Sequence, residues 1–238
     1  MDPLHSLLSA YGRRRFAILF FSIVLTLVGN SVLDAVGLDL DLLEAFLALN
    51  LLSAIMSGLV GGHWRTLVAL AALFLILRVI SAAFGNPLVL SASEAIWAVA
   101  ALVACIATLH FVLRKGKVDS ERIYAALSVC LLAGLVFGVA YHVMGGIRPG
   151  SLRMTSAEGA PVAAVGLKTA IYFSFVTLAT LGYGDVVPAT PLAQSLATFE
   201  AVGAQLYVAV LIARLVSLQA GSSSDGDRPK PGNMPPSR

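Results

Sequence analysis

Residues 177–185 read Thr-Leu-Ala-Thr-Leu-Gly-Tyr-Gly-Asp, and the reading of this stretch decides the fold. Glycine tolerates backbone angles that other residues adopt only at a cost, and here it stands at every second position, Gly182 and Gly184. Carbonyls along an extended chain normally alternate in direction, so such a spacing lets successive carbonyls turn to one side. The tripeptide alone is common in surface turns, and its surroundings set it apart. Lys168 to Thr180 is apolar and aromatic, about the length of a half-membrane helix. An apolar run of full spanning length follows, from about Pro191 to Ser217.

The chain as a whole reads as a membrane protein. It has 238 residues, of which 58% are hydrophobic and 12% charged, with a mean hydropathy of +0.87. A soluble domain needs more charge than this to cover its surface. Apolar runs long enough for a bilayer core of about 30 Å fall at about 16–36, 42–61, 66–84, 93–113, 122–144 and 191–217. Basic residues give the orientation. Arg13, Arg14 and Arg15 precede the first run, Arg65 lies between the second and third, and Arg114, Lys115, Lys117 and Arg122 lie between the fourth and fifth. The first connection holds Asp39 and Asp41 instead. This alternation places both termini in the cytoplasm and the 177–185 stretch on the outer side, with Arg148 and Arg153 as a minor exception. No small-residue cleavage site follows the first run, so it does not read as a signal peptide. Cys105 and Cys130 fall inside spans and imply neither disulfide nor metal site. The tail from Ala220 to Arg238 is Ser, Gly, Pro and charge, a composition expected to be disordered.

Thr180-Leu181-Gly182-Tyr183-Gly184-Asp185 resembles the selectivity filter of potassium channels, usually written TVGYGD. Outer helix, turret loop, short helix, filter, Asp and inner helix is the pore plan of that family, and residues 122–217 follow it. The resemblance implies that carbonyls of Thr180, Leu181, Gly182, Tyr183 and Gly184 replace the hydration shell of K+. K+ itself is held at Thr180 to Tyr183, with no cofactor and no other metal. One filter per chain implies a homotetramer, three further copies of this chain closing the pore. It implies an outer-mouth anchor at Asp185, a supporting Thr177, and an aromatic cuff of Tyr172 and Phe173. Leu181 departs from the usual Val and Ala179 from the usual Thr. Val176 stands where some bacterial members carry a Glu partner for the Asp. Gly203 lies near the usual hinge glycine, where bending and close helix packing are equally open readings. Glu200, a carboxylate within an apolar helix, is expected to be held behind the filter by the pore helix or by the fifth span rather than to ligate the ion.

Six spans with the pore in the last two resemble the voltage-gated layout. A voltage sensor needs several gating charges, yet the fourth span from Ser93 has no Arg or Lys. Weak or absent voltage dependence is expected of this degenerate sensor-like region, residues 16–113. Residues 114–121 form the linker to the pore. Arg78 lies about 9 Å below the outer end of the third span at 1.5 Å per residue. Asp34, Glu44 and Glu94 fall near the outer ends of theirs, so a structural charge cluster with Arg78 is expected. His110 and His142 sit near membrane boundaries and are given no gating role.

The fold class expected is therefore an all-α membrane protein: six transmembrane helices, a re-entrant pore helix and a filter, in the cell membrane. The function expected is passive K+ conduction. A non-selective cation channel and a non-conducting regulatory subunit are the alternatives. No pairing of nucleophile and base points to an enzyme. Lipid is an expected partner and nucleic acid is not. No cyclic-nucleotide or Rossmann-type domain fits after the last span, so gating through one is not expected.

Overall fold

The computed structural model describes residues 14–35, 47, 49–50, 52–53, 64–85, 87–114, 119–155, 161–162 and 165–225. Six long or medium helices appear among them: α1 (Arg15–Ala35), α2 (Trp64–Phe84), α3 (Pro87–Leu113), α4 (Ser120–Ile147), α5 (Leu167–Leu178) and α6 (Pro191–Asp225). Among the described residues, three stretches are long and apolar enough to cross a bilayer: Val89–Leu113, Ser120–Ile147 and Pro191–Arg214. The run expected at 42–61 falls mostly outside the described residues.

Local chemistry sets the helix ends. The Asp119 side chain accepts from the Arg122 amide at 3.1 Å and opens α4. At the other end the Arg148 amide donates to the Met144 carbonyl, and Pro149 prevents continuation. α6 starts with Pro191 at its first position, and the Thr190 hydroxyl accepts from the Ala193 amide at 3.3 Å. α6 then runs for 35 residues, about 50 Å at 1.5 Å per residue, so its end projects beyond a bilayer core. It reaches Asp225, into the segment expected to be a disordered tail from Ala220. No proline interrupts it before Pro229, and each added residue gains a backbone hydrogen bond.

The helices pack around α4. α3 lies along α4, α2 against α3, and α1 and α5 against other faces of α4. One core joins Phe16, Leu19 and Ile23 of α1, Leu67 and Phe74 of α2, Trp97 of α3, Leu132 and Leu135 of α4, and Ile171 of α5. At one end, the Phe16 and Phe111 rings stack at 4.7 Å, and the Arg15 and Arg122 guanidiniums lie over Phe111 at 5.3 and 5.6 Å. There the Phe16 amide, an N-terminal donor of α1, reaches Glu121 of α4 at 3.1 Å.

The mostly helical architecture agrees with the all-α expectation, and a short three-stranded sheet is added to it. The connection after α4 and residues 186–188 contribute β1 (Leu152–Thr155), β2 (Pro161–Val162) and β3 (Val186–Pro188), an antiparallel sheet in the order β2-β1-β3. Leu152 pairs with Pro188 and Met154 with Val186. The physical reason is that the β-branched pair Val186-Val187 needs a strand partner, and the chain just after α4 supplies one. The Ala189 amide adds a bond to the Ser151 carbonyl at 2.9 Å.

Candidate functional site

The site is built on the end of α5. Two glycines let α5 seat against α4. A methyl placed on Gly138 would come 2.7 Å from Ile171 Cα, and one on Gly134 would come 2.6 Å from the Phe175 ring. Sequence reading missed both glycines; their spacing of four, one helical turn, was the available signal. α5 ends in Ala179, whose amide bonds the Phe175 carbonyl at 2.9 Å. The chain then leaves the helix while still tied to it. The Thr180 amide bonds the Thr177 carbonyl at 3.0 Å, and the Leu181 amide bonds the Val176 carbonyl at 2.9 Å. This is where the structure puts Thr177: its carbonyl holds the first residue of the exposed strand.

The backbone from Thr180 to Gly184 alternates in handedness. φ is +58° at Thr180, +58° at Gly182 and +81° at Gly184, while Leu181 and Tyr183 stay at negative φ. Thr180 is the one residue other than glycine with a positive φ among those described. A β-branched residue in that region is strained, and such strain is held only where the surroundings impose it. Alternating φ signs are the backbone condition for carbonyls that face one side. All residues from Ala179 to Asp185 are exposed in the single chain, Leu181 by 56% and Tyr183 by 66%.

The outer end of the strand is fastened by Asp185. One carboxylate oxygen accepts from the Tyr172 hydroxyl at 2.9 Å, and the other from the Val186 amide at 3.0 Å. The two neighbouring aromatics therefore part company. Tyr172 is exposed and bonds Asp185, whereas Phe173 is buried and meets the Tyr141 ring edge-on at 4.9 Å. Val176 is buried in the core.

Glu200 sits behind the strand, 2% exposed on α6. The Tyr141 hydroxyl of α4 donates to its Oε2 at 2.8 Å, and its Oε1 is hydrogen-bonded to the Ser174 hydroxyl of α5. Ser174 also bonds the Gly134 carbonyl at 2.7 Å. Glu200 thus joins α4, α5 and α6. Sequence reading named Glu200 but neither hydroxyl partner. Gly203, the hinge candidate, has open space where a side chain would be.

The charge cluster is only partly described. Arg78 is half-buried, with its guanidinium 5.8 Å from the Phe74 ring centre on its own helix. Glu94 is buried, and its carboxylate lies 3.5 Å from His142 Nε2 on α4. His142 Nδ1 faces the Val165 carbonyl at 3.3 Å, just before α5 begins. His142, given no role from sequence, therefore bridges α3, α4 and the approach to α5. Glu44 and the side chain of Asp34 lie outside the described residues. At the far end, the guanidiniums of Arg122, at 2.9 Å, and Arg214 both donate to the Arg114 carbonyl where α3 ends.

Residues 129–219, from within α4 to within α6, match the family described as "Ion channel". The match supports an ion channel. A two pore potassium channel c from Oryza sativa subsp. japonica is 38% identical over 88 residues, which is 37% of this chain. Those residues span 17% of the rice protein's own length. This similarity adds support for a potassium-channel type of family. No solved structure matches the chain. With three long apolar helices, the family match also supports a membrane protein, mostly helical.

Proposed function

We propose that four copies of this chain close a potassium-selective pore in a cell membrane, with both termini cytoplasmic. The carbonyls of Thr180, Leu181, Gly182, Tyr183 and Gly184 line the pore and replace the hydration shell of K+. The single observation that carries this reading is the alternation of φ from Thr180 to Gly184 in a strand hung from the end of a half-span helix. The Thr-Leu-Gly-Tyr-Gly-Asp sequence, the family match over 129–219 and the rice potassium channel's similarity all support it.

The surroundings suit such a filter. The negative end of the α5 dipole lies beside the inner end of the strand and favours a cation. Tyr172 and Asp185 hold the outer end. Non-helical backbone at membrane depth is tolerable only where protein encloses it, which four copies around an axis achieve. Conduction needs no covalent chemistry, so the chain is not an enzyme in this reading. α3 has no Lys or Arg, so opening depends little on voltage.

The test is flux through purified protein in liposomes, with reversal potentials in mixed K+ and Na+. The expected result is K+ uptake with reversal following the K+ gradient across all voltages. Equal permeability of Na+ and K+ would replace selectivity with a non-selective pore. Absence of any flux from intact tetramers would favour a regulatory subunit.

A further inference from the structure

We propose that Glu200 carries a proton in the folded protein and donates it to Ser174, as the middle link of a one-way chain from Tyr141 through Glu200 and Ser174 to the Gly134 carbonyl. The inference follows from counting protons. A serine hydroxyl has one proton and a backbone carbonyl has none to give. Ser174 Oγ lies 2.7 Å from the Gly134 carbonyl oxygen and is also hydrogen-bonded to Glu200 Oε1. Two oxygens therefore flank one hydroxyl, and Gly134 can only accept. With the serine proton on Gly134, the contact between Ser174 and Glu200 has a proton only if the carboxyl supplies it. With the serine proton on a carboxylate instead, two oxygens stand 2.7 Å apart with nothing between them, in a site where Ser174 is fully buried.

The rest of the site agrees. The Tyr141 hydroxyl, itself fully buried, donates to the other carboxyl oxygen at 2.8 Å. The titratable group facing Glu200 from α4 is thus a phenol, and the partner from α5 is an alcohol. Neither brings a positive charge, and a bare carboxylate buried without one is expensive. A neutral acid satisfies every atom: Tyr141 gives to Glu200, Glu200 gives to Ser174, and Ser174 gives to Gly134. The chain ties α5 to both of its neighbours, two turns or less from the residues that hold Thr180 and Leu181. Glu200 is accordingly a positioning residue for α5. Its effect on conduction rests on the pore reading above, while its protonation does not.

Glutamine separates the alternatives. In Glu200→Gln the carboxamide oxygen accepts from Tyr141 and its NH2 donates to Ser174, the same polarity with no removable proton. The experiment is infrared spectroscopy and thermal melting of the full chain in lipid. The native protein is expected to show a protonated carboxyl stretch that vanishes in Glu200→Gln and moves to higher frequency in Tyr141→Phe, which loses one bond. Glu200→Gln is expected to melt within about 2 °C of the parent, and Glu200→Ala more than about 5 °C lower. A native spectrum lacking that stretch overturns the proposal, as does a Glu200→Gln melt as low as that of Glu200→Ala. The infrared readout stands if Glu200→Gln fails to fold, because the Tyr141→Phe shift assigns the band. A band without K+ flux sinks the pore reading and keeps this one; flux without the band does the reverse.

Discussion

α4 and α6 flank the same short helix, yet half of α4's spanning window is buried within the single chain and only 11% of α6's is. α4 has its partners at hand in α1, α3 and α5. Its glycines admit α5, and its Tyr141 reaches Glu200. α6 meets the rest of the chain at spaced points, among them buried Ala193 and Glu200, the Tyr207 hydroxyl, which bonds the Ala126 carbonyl at 2.7 Å, and Arg214, which bonds the Arg114 carbonyl. Beyond these it exposes Phe199, Val202, Leu206 and Val210. Lipid alone would satisfy those side chains. It would not satisfy Gln205, exposed within the same apolar span, nor the exposed polar backbone from Thr180 to Gly184. A helix that is apolar but carries polar groups outward is a helix waiting for protein or for a wet cavity. α4 is largely covered by its own chain; in the proposed pore, α6 and the segment from Thr180 to Gly184 are covered by other copies.

The sharpest way to break this contrast is Gly182→Ala. A methyl at Gly182 meets nothing within 4 Å in the single chain, so folding of α4 and α5 should be untouched. The residue sits at φ +58°, where a side chain costs about 1–2 kcal/mol in each copy. In the proposed tetramer, four copies multiply that cost around one ring. K+ flux into liposomes is expected to fall by well over about tenfold while the melting temperature stays put. A lower melting temperature with flux intact would put Gly182 in the chain's own core.

Gly138→Ala and Gly203→Ala are the matched pair for the two helices. At Gly138 the new methyl comes 2.7 Å from Ile171 Cα, a backbone atom that cannot step aside. Overpacking of that kind costs about 1–3 kcal/mol, so Gly138→Ala is expected to melt several degrees lower. At Gly203 there is open space within the chain, and alanine favours the helix by roughly 1 kcal/mol. Chains separated in detergent should therefore be no less stable. Tetramer abundance by native mass spectrometry then tells packing from bending. Loss of tetramer shows that α6 helices approach closely at Gly203, whereas unchanged tetramer with altered opening shows a hinge.

These residues also show what sequence can and cannot carry. The backbone alternation over 180–184 had a local signal: φ above zero favours glycine, and the chain supplies it at 182 and 184, while Thr180 carried no such signal. Three of the six expected spans stand as long apolar helices among the described residues, legible because length and hydropathy are local too. The β1–β3 pairing was not legible, since Leu152 to Met154 finds that partner more than thirty residues on, across α5. Ser174 and Tyr141 carried no sequence signal, because their link to Glu200 is made only by the packing of three helices. His142 and Glu94 likewise meet across 48 positions that no periodicity links.

Tyr172→Phe should produce the smallest effect, and it asks where the filter's stability comes from. The hydroxyl donates to Asp185 at 2.9 Å from an exposed position, so water competes for both groups in the single chain. Removing it leaves Asp185 bound to the Val186 amide, and β3 still pairs with β1. Folding is thus expected to be unaffected, with the melting temperature unchanged. In an assembled pore the same bond becomes one of four around the outer mouth, with less water around each. The expected outcome is a modest, K+-sensitive loss of sustained current, restored by raising external K+, which occupies the filter and holds it open. Asp185→Asn, which keeps an oxygen for the Tyr172 hydroxyl, should fall between the parent and Tyr172→Phe. If Tyr172→Phe lowers the melting temperature of separated chains, the outer mouth belongs with α4 as part of the chain's own fold rather than with the assembly.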